Sequence, residues 1–206
     1  MKIRTAAAVI LALLLVPAAA LSADDATTKG KPVAGRAQMA DYVKGDQTIG
    51  LVIGLQLPLF IFDADFRTTS ANMNPGASFS VSYQYFVTGG LVLGGTLSAA
   101  FNSTIANRSF FVAPLSFRTA YWWTTGALEL GLGAEIGGDI KILDSHTVFG
   151  PFAKAGAMAG WRISNAWSAG LQCFYWFIPE IHTGDMSSLT RYGNMLEVSA
   201  TATYHL

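Results

Sequence analysis

Two short stretches hold the side chains of nucleophilic acyl chemistry: Asp144, Ser145 and His146 in one, His182, Asp185 and Ser187 in the other. A serine becomes a nucleophile when a base lies within hydrogen-bond reach and a third group orients that base. Immediate neighbours on a link rarely meet that geometry, and Ser, Asp and His are ordinary link residues. His205, one residue from the end, reads as a polar residue at a rim rather than as a base. Cys173 is the only cysteine, so no intrachain disulfide forms, and it reads as a small apolar-face filler. The sequence contains no metal-ligand spacing, phosphate-binding loop or cofactor motif. The expectation is a protein that is not an enzyme and carries no cofactor or metal.

The charges with the clearest positional logic lie elsewhere. Gln56, Gln84, Arg118, Glu129, Glu135, Lys154, Gln172 and Glu197 each occupy the polar set of a segment that alternates apolar and polar residues. Such alternation has the period of a β-strand and sends the two sets to opposite faces. The last segment is the clearest: Leu196, Val198, Ala200, Ala202, Tyr204 and Leu206 alternate with Glu197, Ser199, Thr201, Thr203 and His205. Seven more precede it, spanning residues 49–59, 79–85, 91–101, 115–121, 128–137, 153–161 and 167–177. Between them, short links at 87–90, 122–125 and 162–166 alternate with longer ones at 62–76, 102–109, 141–147 and 179–191.

The N-terminal residues set a compartment. Lys2 and Arg4 precede an apolar run from Ala6 to Val16, then Pro17 and the small residues Ala18, Ala19, Ala20, Ser22 and Ala23. That order predicts a secretory signal peptide over residues 1–23, cleaved after Ser22 or Ala23. Residues 24–46 are mixed and polar, and predict a periplasmic lead-in, with a short helix near 37–43 as an option that would cap a barrel mouth. Charged residues make up only 13% of the chain and hydrophobic ones 51%, too little charge to cover a water-facing surface. Without its signal the chain has no basic excess to attract nucleic acid. The apolar run is too short to span a bilayer comfortably, and no second one follows. Apolar character without a spanning helix leaves a closed barrel as the membrane option.

Residues 47–206 are therefore expected to form an all-β, eight-stranded, antiparallel up-and-down transmembrane barrel. Its apolar set faces outer-membrane lipid, and both mature termini are periplasmic. A soluble barrel would point its apolar face inward and leave the charged set outside; packing the charged set inside is what separates the two. Aromatics sort to strand ends: Tyr83, Tyr85, Tyr121, Trp122, Trp123, Trp161, Trp167 and Tyr204 at one, and Phe60, Phe101, Phe111, Phe152, Tyr175, Phe177 and Tyr192 at the other. Pairing across the links sets Arg118 opposite Glu129 and Glu135 close to Lys154. An eight-stranded barrel is just wide enough for its side chains to fill, which favours a salt-bridged core. Inward glycines (Gly94, Gly131, Gly133, Gly156, Gly160, Gly170) would leave room for a narrow pore, or mark sharp bending of the sheet.

The stretch Asn194–Leu206 resembles the C-terminal assembly signal of outer-membrane proteins. Tyr204 matches the aromatic two before the end, and Leu206 stands where the signal usually has Phe. Ser82-Tyr-Gln-Tyr-Phe86 and Gly150-Pro-Phe-Ala-Lys154 resemble small spirochaete outer-membrane barrels of the OmpW/OmpX-like type, over residues 48–206. The resemblance implies passage of small or hydrophobic solutes through a narrow barrel, and contact with the barrel-assembly machinery. With the barrel pattern and the glycine-lined interior, the leading expectation is a narrow porin-like channel or transporter for small or hydrophobic solutes; the alternative is a non-conducting structural or surface-binding barrel that works through its external loops.

Overall fold

The computed structural model describes residues 41–144 and 146–206, all within the unit Ala37–Leu206. The predicted signal peptide and most of the predicted lead-in lie outside the described residues. Nine strands form, in the order β1 (Gln47–Phe62), β2 (Thr68–Ser70), β3 (Gly76–Phe86), β4 (Leu91–Ser103), β5 (Ser109–Thr125), β6 (Leu128–Leu143), β7 (His146–Arg162), β8 (Trp167–Glu180) and β9 (Arg191–His205). β2 is a short flap on the tip of β1, pairing Phe60 with Ser70 and Phe62 with Thr68. The other eight pair antiparallel with their sequence neighbours, and β9 returns to β1 from Thr48↔His205 to Phe62↔Tyr192. That last ladder closes the sheet, so no long edge is left unpaired.

The faces follow the period. Ile53 and Ile136 are each 68% exposed on the outer wall, while Gln56 and Glu197, paired in register between them and the loop end, are fully buried. A surface of exposed Leu, Ile, Val and Phe around a polar interior inverts the soluble arrangement, and it suits lipid outside. The molecule is an eight-stranded antiparallel transmembrane barrel.

Two ends can be told apart. Asp41, Leu206 and the links 87–90, 126–127 and 163–166 share one, called here the terminal end; the links 63–75, 104–108, 144–145 and 181–190 share the other, the loop end. Two links differ from expectation. β5 continues through Trp122, Trp123 and Thr125, and the chain reverses at Gly126-Ala127, where Gly126 takes a left-handed φ of +61°. The predicted link at 141–147 shrinks, with β6 running to Leu143 and β7 starting at His146, because Asp139 and Lys141 keep the buried, inward alternation of β6. Long links therefore alternate with short ones everywhere except at this hairpin.

The aromatic ends also need correction at two positions. Tyr83, Tyr121, Trp123, Trp161 and Trp167 are exposed on the outer wall at the terminal end. Trp122 has the opposite parity and packs against the interior cluster, and Phe152 is buried inside, edge-on to Trp176 at 5.0 Å. At the loop end, Phe60, Phe62, Phe66, Tyr192 and Phe177 form a continuous row of ring contacts on the outer wall.

Inward glycines do not open a lumen. A side chain on Gly94 would collide with the carbonyl oxygen of Tyr83, and one on Gly156 with that of Cys173. These are points where neighbouring strands bend into close approach. Gly131 and Gly133 are roofed by Trp122, Met158 and Phe174.

Candidate functional site: the ion-paired interior

The interior is built in three layers. In the middle layer, Glu135 on β6 lies directly between Arg118 of β5 and Lys154 of β7 in the ladder register. Its Oε1 is 3.1 Å from Arg118 Nη1 and 3.3 Å from Lys154 Nζ, and its Oε2 accepts from Ser116 Oγ at 2.6 Å. Lys154 Nζ also stands 3.8 Å from Glu197 Oε2. It makes no directed hydrogen bond, so charge and two aromatic faces hold it: Phe174 at 5.1 Å and Trp176 at 5.2 Å. Glu197 is saturated by Gln172 Nε2 (2.9 Å), Ser199 Oγ (2.8 Å) and Trp176 Nε1 (2.7 Å). Buried ionised groups are tolerated where pairing and hydrogen bonds replace water, and this layer supplies both.

At the terminal end, Glu129 Oε1 accepts from Arg162 Nε at 2.9 Å and from the Tyr42 hydroxyl at 3.0 Å. Ser168 Oγ and His205 Nε2 lie 2.7 Å apart on the adjoining wall. Toward the loop end, Lys141 Nζ pairs with Asp139 at 3.0 Å and donates to the Pro179 carbonyl at 2.6 Å. Val112, Phe152, Trp176, Ile178 and Met195 belong to one buried apolar cluster in the bore, with Met73 and Phe110 packed against it.

All eight residues singled out from the sequence, Gln56, Gln84, Arg118, Glu129, Glu135, Lys154, Gln172 and Glu197, are buried in the interior. Five of them meet in one network: Arg118, Glu135, Lys154, Gln172 and Glu197. Arg118 does not face Glu129. Moving the turn to Gly126-Ala127 places Arg118 against Glu135 and sets Glu129 against Thr124. Gln56 and Gln84 make no side-chain hydrogen bond that satisfies Gln56 Oε1, Gln56 Nε2 or Gln84 Oε1. Tyr204 lies on the outer face against Trp167, at 5.0 Å between ring centres, and Leu206 donates its backbone N–H to the Gln47 carbonyl at 3.0 Å.

Sequence reasoning missed Asp139, Lys141, Arg162, Trp176 and Tyr42. Four of these had a signal: inward parity carried on from Glu135 to Asp139 and Lys141, from Lys154 to Arg162, and from Gln172 to Trp176. Tyr42 had none, because it precedes the strands. Two of the loop groups considered for catalysis have ion-pair partners. Asp144 pairs with Arg108 at 3.4 Å and His182 with Glu180 at 2.9 Å, while Ser145 lies outside the described residues.

A gap of about 20 Å³ lies beside this network, lined by Ser82, Gln84, Arg118, Glu129, Met158 and Gln172 among others. That is room for about one water molecule. The site pairs buried charges and fills the space around them.

This fold and interior define a small eight-stranded barrel of the outer-membrane type. A protein-family profile matches residues 25–204, and the chain belongs to the family it describes. An uncharacterized protein of Treponema pallidum (strain Nichols) is 27% identical over 136 residues, 61% of this chain. The chain spans only 62% of that relative's length. Among solved structures, Neisserial surface protein A (NspA) superposes with a TM-score of 0.56 at 12% identity, covering 78% of this chain and 97% of that one. OprG from Pseudomonas aeruginosa gives 0.49 at 9% identity, over 80% and 97% of the two chains. At such identities the likeness to NspA speaks for the fold alone.

Proposed function

We propose that the protein is a non-conducting barrel of the outer membrane, with both mature ends in the periplasm, that works through its loop end. The observation that carries this is the filled bore. Three layers of paired charges and aromatic rings leave a gap of about 20 Å³, well short of a path for a hydrated solute. The narrow channel for small or hydrophobic solutes, the leading expectation from the sequence, would require the Glu135 network and the Phe152–Trp176 plug to separate together. The ionic interior then serves to specify and stiffen a narrow barrel.

The loop end offers what the bore does not. Between the links 63–75 and 104–108 lies a recess of about 450 Å³ walled by Ala71, Ile105, Ala106 and Leu143, with Arg108 at its edge. Beside the outer wall runs the aromatic row from Phe60 to Phe177. These are surfaces for binding rather than for catalysis. Tyr204 and Leu206 are the residues by which the assembly machinery would recognise β9. Liposome swelling in small sugars tests the proposal. Vesicles holding the refolded protein should swell no faster than empty ones, and swelling graded by sugar size would overturn it.

A further inference from the structure

One side chain from outside the strands enters the bore. Tyr42 is only 5% exposed, although it lies five residues before β1. The chain turns back sharply between them: Gly45 adopts φ +103°, Val43 N–H donates to Asp46 Oδ2 at 2.8 Å, and Gly45 N–H donates to the Phe86 carbonyl at 2.9 Å. That reversal drives the Tyr42 ring into the terminal-end mouth.

Every feature of the ring has a counterpart there. One face stacks on Phe86, with centres 4.0 Å apart and planes 15° from parallel. The Arg162 guanidinium lies 4.5 Å from the ring centre, within the range of a cation–π interaction. The hydroxyl donates to Glu129 Oε1 at 3.0 Å, and the same oxygen is fixed by Arg162 Nε. Flatness, π-electron density and a hydroxyl donor are read separately, and together they define a phenol. Burial, with the Glu129 charge second, pushes the Tyr42 phenol above its ordinary pKa, so it remains a donor.

We propose that the terminal-end mouth is a binding site for a phenol ring, filled in cis by Tyr42, and that the ring's departure admits water to the gap behind it and leaves the ring's own place open to small phenols. This goes beyond the closed-barrel reading, which concerns ion and solute passage through the whole bore.

The test uses a buried thiol. Ser168 lines the gap and is buried, so Ser168→Cys in a Cys173→Ser background reports access to the site. With the full mature chain folded in detergent micelles, labelling by a charged methanethiosulfonate should be slow. Adding Tyr42→Ala should speed it by about tenfold, because that variant gives up an aromatic stack and a cation–π interaction at once. Millimolar p-cresol should restore protection to that variant, whereas 4-methylcyclohexanol, of like shape without a π face, should not. Tyr42→Phe keeps the ring and loses the hydroxyl, and should label at an intermediate rate. Equal labelling of the parent and both variants would overturn the site. Equal protection by p-cresol and 4-methylcyclohexanol would overturn its selectivity for a phenol. Conductance of the parent protein is a separate measurement, so the two proposals fail independently.

Discussion

Glu135 holds Arg118 and Lys154 at 3.1 and 3.3 Å, and all three side chains are cut off from water. Removing the carboxylate leaves two cations facing Glu197 alone. Breaking a buried pair from one side costs about 3–5 kcal/mol. Glu135→Ala should therefore lower the urea midpoint of the refolded barrel well beyond the effect of Glu180→Ala, whose carboxylate is partly exposed. An unchanged midpoint would remove Glu135 from the core. Tyr42 makes a second prediction at this scale. Ordinary tyrosines ionise near pH 10, and burial raises Tyr42 above that. Its stabilising contribution is fully present below pH 10 and declines as the pH rises further, because the unfolded chain releases the phenol proton first. A phenolate absorbance titration should show a late step at high pH, and that step should vanish in Tyr42→Phe. The facing of Glu135 and Lys154 could be read from the sequence, since alternation fixed both parities. The Arg118 partner could not, because moving one turn shifts that partner six positions, from Glu129 to Glu135, which keeps parity and changes only the register.

At the level of strands, period two was enough to count the barrel staves and assign their faces. The ends were harder for a physical reason. Asp139 and Lys141 have the composition of a link, yet they partner one another inside the wall and so extend β6 instead of ending it. Trp122 and Phe152 looked like interfacial residues by position near a strand end, but parity sends them inward. Glycine placement tells the same story. Gly94 and Gly95 are neighbours on β4 with opposite fates. A methyl on Gly94 would run into the Tyr83 backbone, whereas on Gly95 it meets nothing closer than 3.8 Å, the carbonyl oxygen of Ser116. Gly94→Ala should cost about 1–3 kcal/mol, the range for forced overpacking, and Gly95→Ala should be close to neutral. Paired urea titrations decide it, and equal effects would contradict the account of inward glycines as points of strand approach.

For the molecule as a whole, the interior charges balance. Arg118, Lys141, Lys154 and Arg162 are matched by Glu129, Glu135, Asp139 and Glu197, each cation within 4 Å of one of these carboxylates. A balanced interior offers no net field to draw ions of one sign through the bore. The apolar outer wall and low overall charge already indicated a barrel in lipid. Whether that barrel was filled or open turned on how side chains from opposite walls interdigitate, which alternation along single strands does not encode. Trp176, Phe174 and Phe152 are all buried inside, and Phe174 lies over Gly133, where the glycines seemed to leave space. The central claim, a bore shut by paired charges and rings, is tested most directly by single-channel recording in planar bilayers. Refolded wild-type protein should give a silent membrane across a wide range of voltage and salt. Discrete, reproducible conductance steps from the wild-type protein would contradict the account.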